Sequence, residues 1–514
     1  MTRRLPATRL KRTALAVILT SVVCGAAAQS TTGSVYGNVP SAAGATVVVQ
    51  SDTGLRRSAT VDANGRYALG SLPVGRYSVT LQRDGQVVDK RDNVQLIVGA
   101  GTEVSFGSSA SAGGGDATNL GTVNVTAANM PKIDVSNTIS RSVITSEQLD
   151  VLPLGRSAEA IALLAPGVVG GSGAFSNGSR SALSFGGSSV SENSYYINGY
   201  NATNPLNNLG GVSLPYGSID QQETFTGGYG ASYGRSTGGV INQLGKRGTN
   251  EWHFGVQTTW QPDSLAESPR DIKYPDHALP EGYELSDPTL PGTLYRSRRG
   301  DKATRTTYSA YVSGPLIEDR LFIHLAGEQD KSDGVSTGSI ESAQQSRSHY
   351  TIDTPKFYGK VDWNINDSNT LEYTRIQNTD RYDAYYRDFD YQTRTEGERT
   401  GTFANTTKLK DTYDVFKFTS YLTDDLTLSA LWGRSKQDNL DSNPLSSGNA
   451  YISGANSQDP SITGGTPIRN DQPAINDKAA NAGSTTRGLR VDLQYRIGDH
   501  EITGGIDNMT FQGN

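Results

Sequence analysis

From Trp252 onward, apolar and polar residues alternate in segments of about ten, the period of β-strands with one greasy and one wet face. In residues 487–497, Leu489, Val491, Leu493, Tyr495 and Ile497 share one face, and Arg490, Asp492, Gln494 and Arg496 the other. Phe357, Gly359, Val361, Trp363 and Ile365 repeat the pattern against Lys356, Tyr358, Lys360, Asp362 and Asn364. So do Leu321, Ile323 and Leu325, and Leu426, Leu428, Ala430 and Trp432. The alternation predicts strands near 252–260, 304–313, 319–328, 355–364, 368–378, 411–421, 425–436, 486–496 and 500–509. Connections between them are long at 261–303, 329–354, 379–410 and 437–485. They are short at Gly314 to Glu318, Ile365 to Asp367, Leu422 to Asp424 and Ile497 to Asp499. Short turns on one side and long loops on the other are the rule for outer-membrane barrels. A soluble all-β protein gives no reason for that ordered inequality.

Upstream the runs are shorter. Residues 33–106 hold the β-rich runs Ser34 to Val39, Ala45 to Val49, Gly65 to Leu69 and Arg76 to Thr80, broken by Gly, Pro, Asp and Asn, and predict a small sandwich. Asn64-Gly65 reads as a tight hairpin turn and Pro73-Val74-Gly75 as another, with Tyr67 and Tyr77 opening the strands that follow. Residues 107–119 are rich in Gly, Ser and Ala and read as a flexible linker. Thr122-Val123-Asn124-Val125-Thr126-Ala127 then alternates like a short strand. On a mobile tether, such a peptide can add itself to an exposed sheet edge through main-chain hydrogen bonds.

In 128–250, Thr145-Ser146-Glu147-Gln148-Leu149 opens a helix with Thr145 or Ser146 as its cap, and Ala158 to Leu164 forms a second, stopped by Pro166-Gly167. The hairpin Tyr195-Tyr196-Ile197-Asn198-Gly199-Tyr200 follows, then Phe225-Thr226-Gly227-Gly228-Tyr229-Gly230 and Ser232-Tyr233-Gly234. Thr237-Gly238-Gly239-Val240-Ile241-Asn242 and Lys246-Arg247-Gly248-Thr249-Asn250 close the segment.

Residues 33–106 resemble the carboxypeptidase regulatory-like domain, a non-catalytic module that here contains no His. The ordered motifs of 128–250 resemble a TonB-dependent plug, and Thr122 to Ala127 matches the TonB box by which such receptors engage their energy-transducing partner. Asn198 stands where most of that family has Asp, and Phe185-Gly186-Gly187-Ser188 where an Arg-Gly commonly precedes the hairpin. With Glu192-Asn193-Ser194-Tyr195 and the sandwich, these departures resemble the Oar-like branch rather than the iron-siderophore receptors. The resemblance implies a mostly β fold: small β-sandwich, α+β plug and partial transmembrane antiparallel β-barrel. The division it implies is a signal at 1–28, the sandwich at 33–106, linker and TonB box at 107–127, the plug at 128–250 and the first barrel strands at 251–514.

Nine strands fall short of the roughly 22 that a plug of this size needs. The chain also ends at Asn514 without the terminal aromatic residue such receptors usually carry, so a truncated or incomplete gene product is expected. The implied function is import of an extracellular ligand, powered through a TonB-type protein from the inner-membrane proton gradient. Outer-membrane lipid is a further implied partner. The alternative is a surface interaction or signalling protein with a vestigial plug.

Composition changes this picture little. Arg3, Arg4, Arg9, Lys11 and Arg12 precede the apolar run Ala14 to Val23, too short to span a bilayer, and Ala26-Ala27-Ala28 offers a cleavage site before Gln29. The single cysteine, Cys24, lies inside that signal; lipidation there is the alternative, opposed by the branched Val23 before it. Removing the five basic residues takes the formal net charge from -6 to about -11, a poor balance for binding nucleic acid. A mean hydropathy of -0.48 argues against a helical membrane protein but not against a barrel.

His253, His277, His324, His349 and His500 show no metal-ligand spacing and read as lumen or loop residues. Gly238-Gly239 lacks the Lys-Ser/Thr of a phosphate loop, and Asp62-Ala63-Asn64-Gly65 lacks the spacing of a calcium loop. No nucleophile–base set appears, so neither an enzyme, a cofactor nor a metal is expected. Arg235, Lys246 and Arg247 read as lumenal ion-pair partners holding the plug rather than as an anion site. In 379–410, Tyr385, Tyr386 and Arg387 are the candidate ligand contacts, because Tyr and Arg are enriched in binding hot spots. The competing reading is a solvated loop rich in aromatics.

Overall fold

The computed structural model describes residues 31–39, 44–107, 139–152, 154, 157–171, 182–205, 208–276, 289–340, 345–442, 459–464, 483–498 and 500–513. The expected signal, most of the linker, and Thr122 to Ala127 lie outside them.

The N-terminal unit has seven strands: β1 (Thr32–Asn38), β2 (Thr46–Ser51), β3 (Arg56–Thr60), β4 (Arg66–Pro73), β5 (Gly75–Arg83), β6 (Gln86–Leu96) and β7 (Gly101–Glu103). They form a four-stranded sheet in the order β3-β2-β5-β6 and a three-stranded sheet β4-β1-β7. Between the two lie Val35, Val47, Leu69, Val79, Leu96 and Phe106, all buried. One expectation fails here. Asn64-Gly65 joins β3 to β4, and Pro73 to Gly75 joins β4 to β5, and in both cases the joined strands belong to different sheets. These turns are crossings between layers, not hairpins. Local turn chemistry permits a reversal, while the apolar face of β4 selects β1 as its partner. A two-residue hairpin does occur at Asp84-Gly85, where φ is +51° and +78°, between β5 and β6. Asp62 is occupied with its own turn: its Oδ1 accepts from the Asn64 and Arg66 N–H groups at 2.9 and 2.7 Å.

The plug segment runs β8 (Ser140–Thr145), α1 (Ser146–Val151), α2 (Ala158–Ala162), β9 (Val168–Gly170), β10 (Leu183–Phe185), β11 (Ser194–Ile197), β12 (Tyr200–Asn201), β13 (Ile219–Gly227) and β14 (Val240–Gly245). Thr145 caps α1, with the Gln148 side chain accepting from its N–H at 3.0 Å. Ser157 caps α2 by accepting from the Ala160 N–H. Five strands make one sheet in the order β12-β11-β14-β13-β8, so β8 is an edge. Asn198 and Gly199, at φ +49° and +83°, turn β11 back into β12.

The remaining strands are β15 (His253–Gln261), a small hairpin of β16 (Ile272–Lys273) and β17 (Leu294–Arg296), then β18 (Lys302–Ile317), β19 (Leu321–Thr337), β20 (Ser346–Asn366), β21 (Asn369–Asp390), β22 (Thr395–Tyr421), β23 (Leu426–Ser442), β24 (Gly483–Ile497) and β25 (His500–Gly513). Apart from the small hairpin, they pair antiparallel in one nine-stranded sheet, each beside its neighbour in sequence. All nine strands expected from the alternation are present. Several are much longer than expected, however. A transmembrane β-strand needs about 9–11 residues, whereas β20 has 21, β21 has 22 and β22 has 27. The expected loops at 329–354 and 379–410 therefore shrink to 338–345 and 391–394. The added residues are mostly polar, with Tyr382, Tyr385, Tyr386 and Phe389 scattered over both faces, so their strand character leaves no clean hydrophobic alternation to read.

Trp363, Trp432, Leu489, Leu493 and Ile497 are exposed on one face of this sheet. Tyr373, Phe416 and Trp432 form a ring ladder there, with centroids 4.7 and 5.8 Å apart. The plug lies against the other face.

Candidate functional site at the plug and its seat

The inward face carries the polar members of each alternating set, and the plug is tied to them residue by residue. At the hairpin tip, Asn198 Nδ2 donates to Tyr358 Oη (3.3 Å) and Thr374 Oγ1 (3.1 Å), while its Oδ1 accepts from the Gly245 N–H (2.9 Å). Asn378 Nδ2 donates to the Ser213 carbonyl at 2.8 Å, and the Tyr216 N–H donates to Glu328 Oε2 at 3.2 Å. Tyr413 Oη donates to the Ala202 carbonyl, and Ser218 Oγ meets His324 Nε2 at 3.3 Å. Around these contacts Ile197, Tyr200 and Leu214 of the plug pack with Tyr358, Ile376, Tyr413 and Leu431 of the sheet.

Below the tip, strand register sets charges in a row. Asp362, Glu372, Lys417, Leu431, Arg490 and Asp507 are successive cross-strand partners from β20 to β25. Lys360 Nζ lies 2.8 Å from Glu372 and 3.4 Å from Asp362, and Lys417 Nζ lies 3.5 Å from Glu372. Arg235 reaches from the plug to Asp507 at 2.5 Å. Arg247 faces the same carboxylates. Burial works against its charge, but Asp362, Glu372 and Asp220 more than offset that and hold its pKa above the ordinary value. Arg235 thus makes the plug-holding ion pair that its position suggested, whereas Arg247 feels these carboxylates at longer range and Lys246 lies 6.0 Å over the Tyr311 ring. The Lys360–Glu372–Lys417 group went unnoticed in the sequence as a site. Its signal was present, since each member is an inward residue of an alternating strand, but the shared height depends on cross-strand register.

A second buried pair lies within the plug sheet. Arg141 of β8 meets Glu223 of β13 at 3.1 Å, and Asn242 Nδ2 donates to Glu223 at 2.8 Å. Burial pushes the Glu223 carboxyl up to about 7, although Arg141 pulls the other way.

The candidate ligand contacts are not in a loop. Tyr385, Tyr386 and Arg387 lie on β21, paired with His349, Ser348 and Arg347 of β20. Alternation then separates them. Tyr385 stacks on the His349 ring at 4.9 Å and lies under the Arg399 guanidinium, and Arg387 approaches Glu396 at 3.3 Å. Both share the outward parity of Phe357 on β20, whereas Tyr386 shares the inward parity of Tyr358. Tyr385 and Arg399 line a cavity of about 790 Å³ with Lys302, His349 and Asp383. Neither Tyr386 nor Arg387 lines it.

Residues 32–108 match the carboxypeptidase regulatory-like domain family, and residues 134–240 match the TonB-dependent receptor plug domain family. A TonB-dependent transporter, Oar, from Myxococcus xanthus is 26% identical over 330 residues, covering 61% of this chain and 28% of that protein. In its matched domains the chain is similar to Oar-like TonB-dependent receptors. That similarity points to the outer membrane, and the matched domains are those of a receptor. The chain spans little more than a quarter of the Oar transporter's length. Among solved structures, the outer-membrane transporter YddB from Escherichia coli aligns with a TM-score of 0.46 and 17% identity, covering 72% of this chain and 48% of that one. A ferripyoverdine receptor of Pseudomonas aeruginosa aligns with a TM-score of 0.41 and 12% identity, covering 73% and 52%.

Proposed function

We propose that this receptor is the N-terminal portion of an active importer, in which a TonB-type protein captures Thr122 to Ala127 as an added strand and draws on the plug. The observation that supports this most is the seat of the plug. Its hairpin tip and its charged flank are tied to the inward face by many individually modest polar contacts, and among the described residues the covalent link between plug and sheet is the chain itself, running from β14 into β15. Such an arrangement seats the plug firmly as a whole and can still be undone by a pull from one end. The box stands before β8, the first strand of the plug and an edge of its sheet, so within that sheet a pull meets a single neighbouring strand, β13.

Val123→Pro and Val125→Pro test the reading in the full-length receptor. Each removes a backbone donor and fixes φ, so pairing with the purified periplasmic domain of a TonB-type protein should fall below detection while the fold persists. Undiminished pairing in both variants would instead favour a surface interaction or signalling protein whose plug is vestigial.

A further inference from the structure

The sandwich does not hang free of the plug. Gln221, buried on β13, uses its side-chain amide as a backbone mimic: Oε1 accepts from the Val98 N–H at 2.9 Å and Nε2 donates to the Leu96 carbonyl at 3.1 Å. Arg141 of the edge strand β8 donates from one nitrogen both to the Val98 carbonyl (3.4 Å) and to Glu223 (3.1 Å). Val74 and Val98 of the sandwich pack with Leu244 and Val143 of the plug in a small apolar cluster. At the rim, Arg76 pairs with Glu147 at 2.7 Å. The short-turn end of the barrel sheet adds its own grip. Asn364 Nδ2 donates to the Thr53 carbonyl at 2.8 Å, Tyr421 Oη donates to the Ser71 carbonyl at 2.9 Å, and the Arg57 guanidinium sits 4.0 Å over the Tyr421 ring.

These contacts have a consequence for the tether. The described residues of the sandwich end at Gly107 and those of the plug begin at Ile139, and Val98 on one side touches Arg141 on the other. Residues 122–127 therefore belong to a stretch of sequence whose two flanking units are held together by the sandwich–plug contact.

We propose that the sandwich is a removable clamp on the plug: Leu96 to Gly99 holds the edge strand β8 against β13, and this contact must part before β8 can be drawn out. The proposal rests on the reading of residues 122–127 as the pulled segment for its role in transport, but the clamp itself stands on the contacts above. Gln221 is the residue to change, because it belongs to the plug and reaches across to main-chain groups. Gln221→Leu keeps the volume and leaves the Leu96 carbonyl and the Val98 N–H without their partner.

Hydrogen exchange of the intact receptor, read by mass spectrometry at residues 140–145, is the test. Gln221→Leu is expected to speed exchange there about tenfold, the factor that 1.4 kcal/mol gives, with residues 411–421 of the barrel unchanged. A second variant pair guards against a general loss of fold. Arg76→Cys with Glu147→Cys, joined by a short bis-maleimide, should cross-link in higher yield than Val87→Cys with Glu147→Cys and should slow the same amides. Unchanged exchange at 140–145 in Gln221→Leu, or equal cross-linking of the two pairs, overturns the clamp. Neither measurement involves uptake or a partner, so such a failure leaves the box reading standing. Conversely, Val123→Pro that still pairs removes the box reading while these exchange rates stay as they are.

Discussion

Replacing Asn198 separates the two things that hold the tip of the plug. Its backbone is left-handed at φ +49°, a conformation that Asn tolerates and that costs alanine roughly 1 kcal/mol. Its side chain satisfies the Gly245 N–H and donates to two hydroxyls of the barrel wall, Tyr358 Oη and Thr374 Oγ1. Hydroxyls can rotate to find another partner, but the Gly245 N–H is buried and fixed, and stranding it costs about 1–3 kcal/mol. Asn198→Gly, which relieves the backbone and loses the bonds, is thus expected to lose about 1–3 kcal/mol. Asn198→Ala is expected to lose about 1 kcal/mol more than that. Asn198→Asp keeps the turn and the acceptor and should fall between wild type and Gly. Hydrogen exchange of residues 240–245 in the intact receptor reads each loss as a local opening, since Gly245 is the last residue of β14. If Gly matches wild type, the side-chain bonds contribute nothing. If Ala matches Gly, the backbone argument fails.

Two further outcomes follow from groups described above. Glu223 has its pKa raised to about 7 from an ordinary 4.5 by burial, so folding takes up its proton. Its contribution to plug stability is full below pH 4.5 and is lost as pH rises through 7; exchange at 140–145, corrected for intrinsic rates, should quicken across that window, and Glu223→Gln should flatten the dependence. A variant with the same slope as wild type would sink this assignment. On the outer rim, Tyr385→Ala should weaken cell-surface binding of a panel of peptides and glycans about fivefold for any member that binds, and Tyr386→Ala should not, because the two face opposite ways. Equal losses would mean that strand alternation does not divide the contact.

The barrel was legible in the sequence because lipid imposes a period of two that needs no partner to be seen. Leu489, Val491 and Leu493 announce their strand alone. The sandwich was less legible, since Asn64-Gly65 fixes that the chain turns but not which sheet receives it. Residues 379–410 were misread for the opposite reason. There β21 and β22 mix polar residues with aromatics on both faces, and their strand character comes from pairing, which is non-local. The same holds for the Lys360, Glu372 and Lys417 group, whose members sit on three strands and meet only once the register is fixed. The Gln221 amide was invisible in a stronger sense: an uncharged residue inside a strand becomes a contact only because the sandwich presents two main-chain groups to it.

The outward face also decides what light can report. The chain has four tryptophans, and none lies in the sandwich or the plug. Trp252, Trp260, Trp363 and Trp432 are all exposed, at 56%, 63%, 45% and 43%, and so stand toward lipid or its borders rather than toward the lumen. Intrinsic tryptophan emission will therefore follow insertion, and brominated acyl chains should quench it. Withdrawal of the plug moves no indole at all and would pass unseen in emission, which makes a tryptophan placed in β13 or β14 the natural reporter for that event.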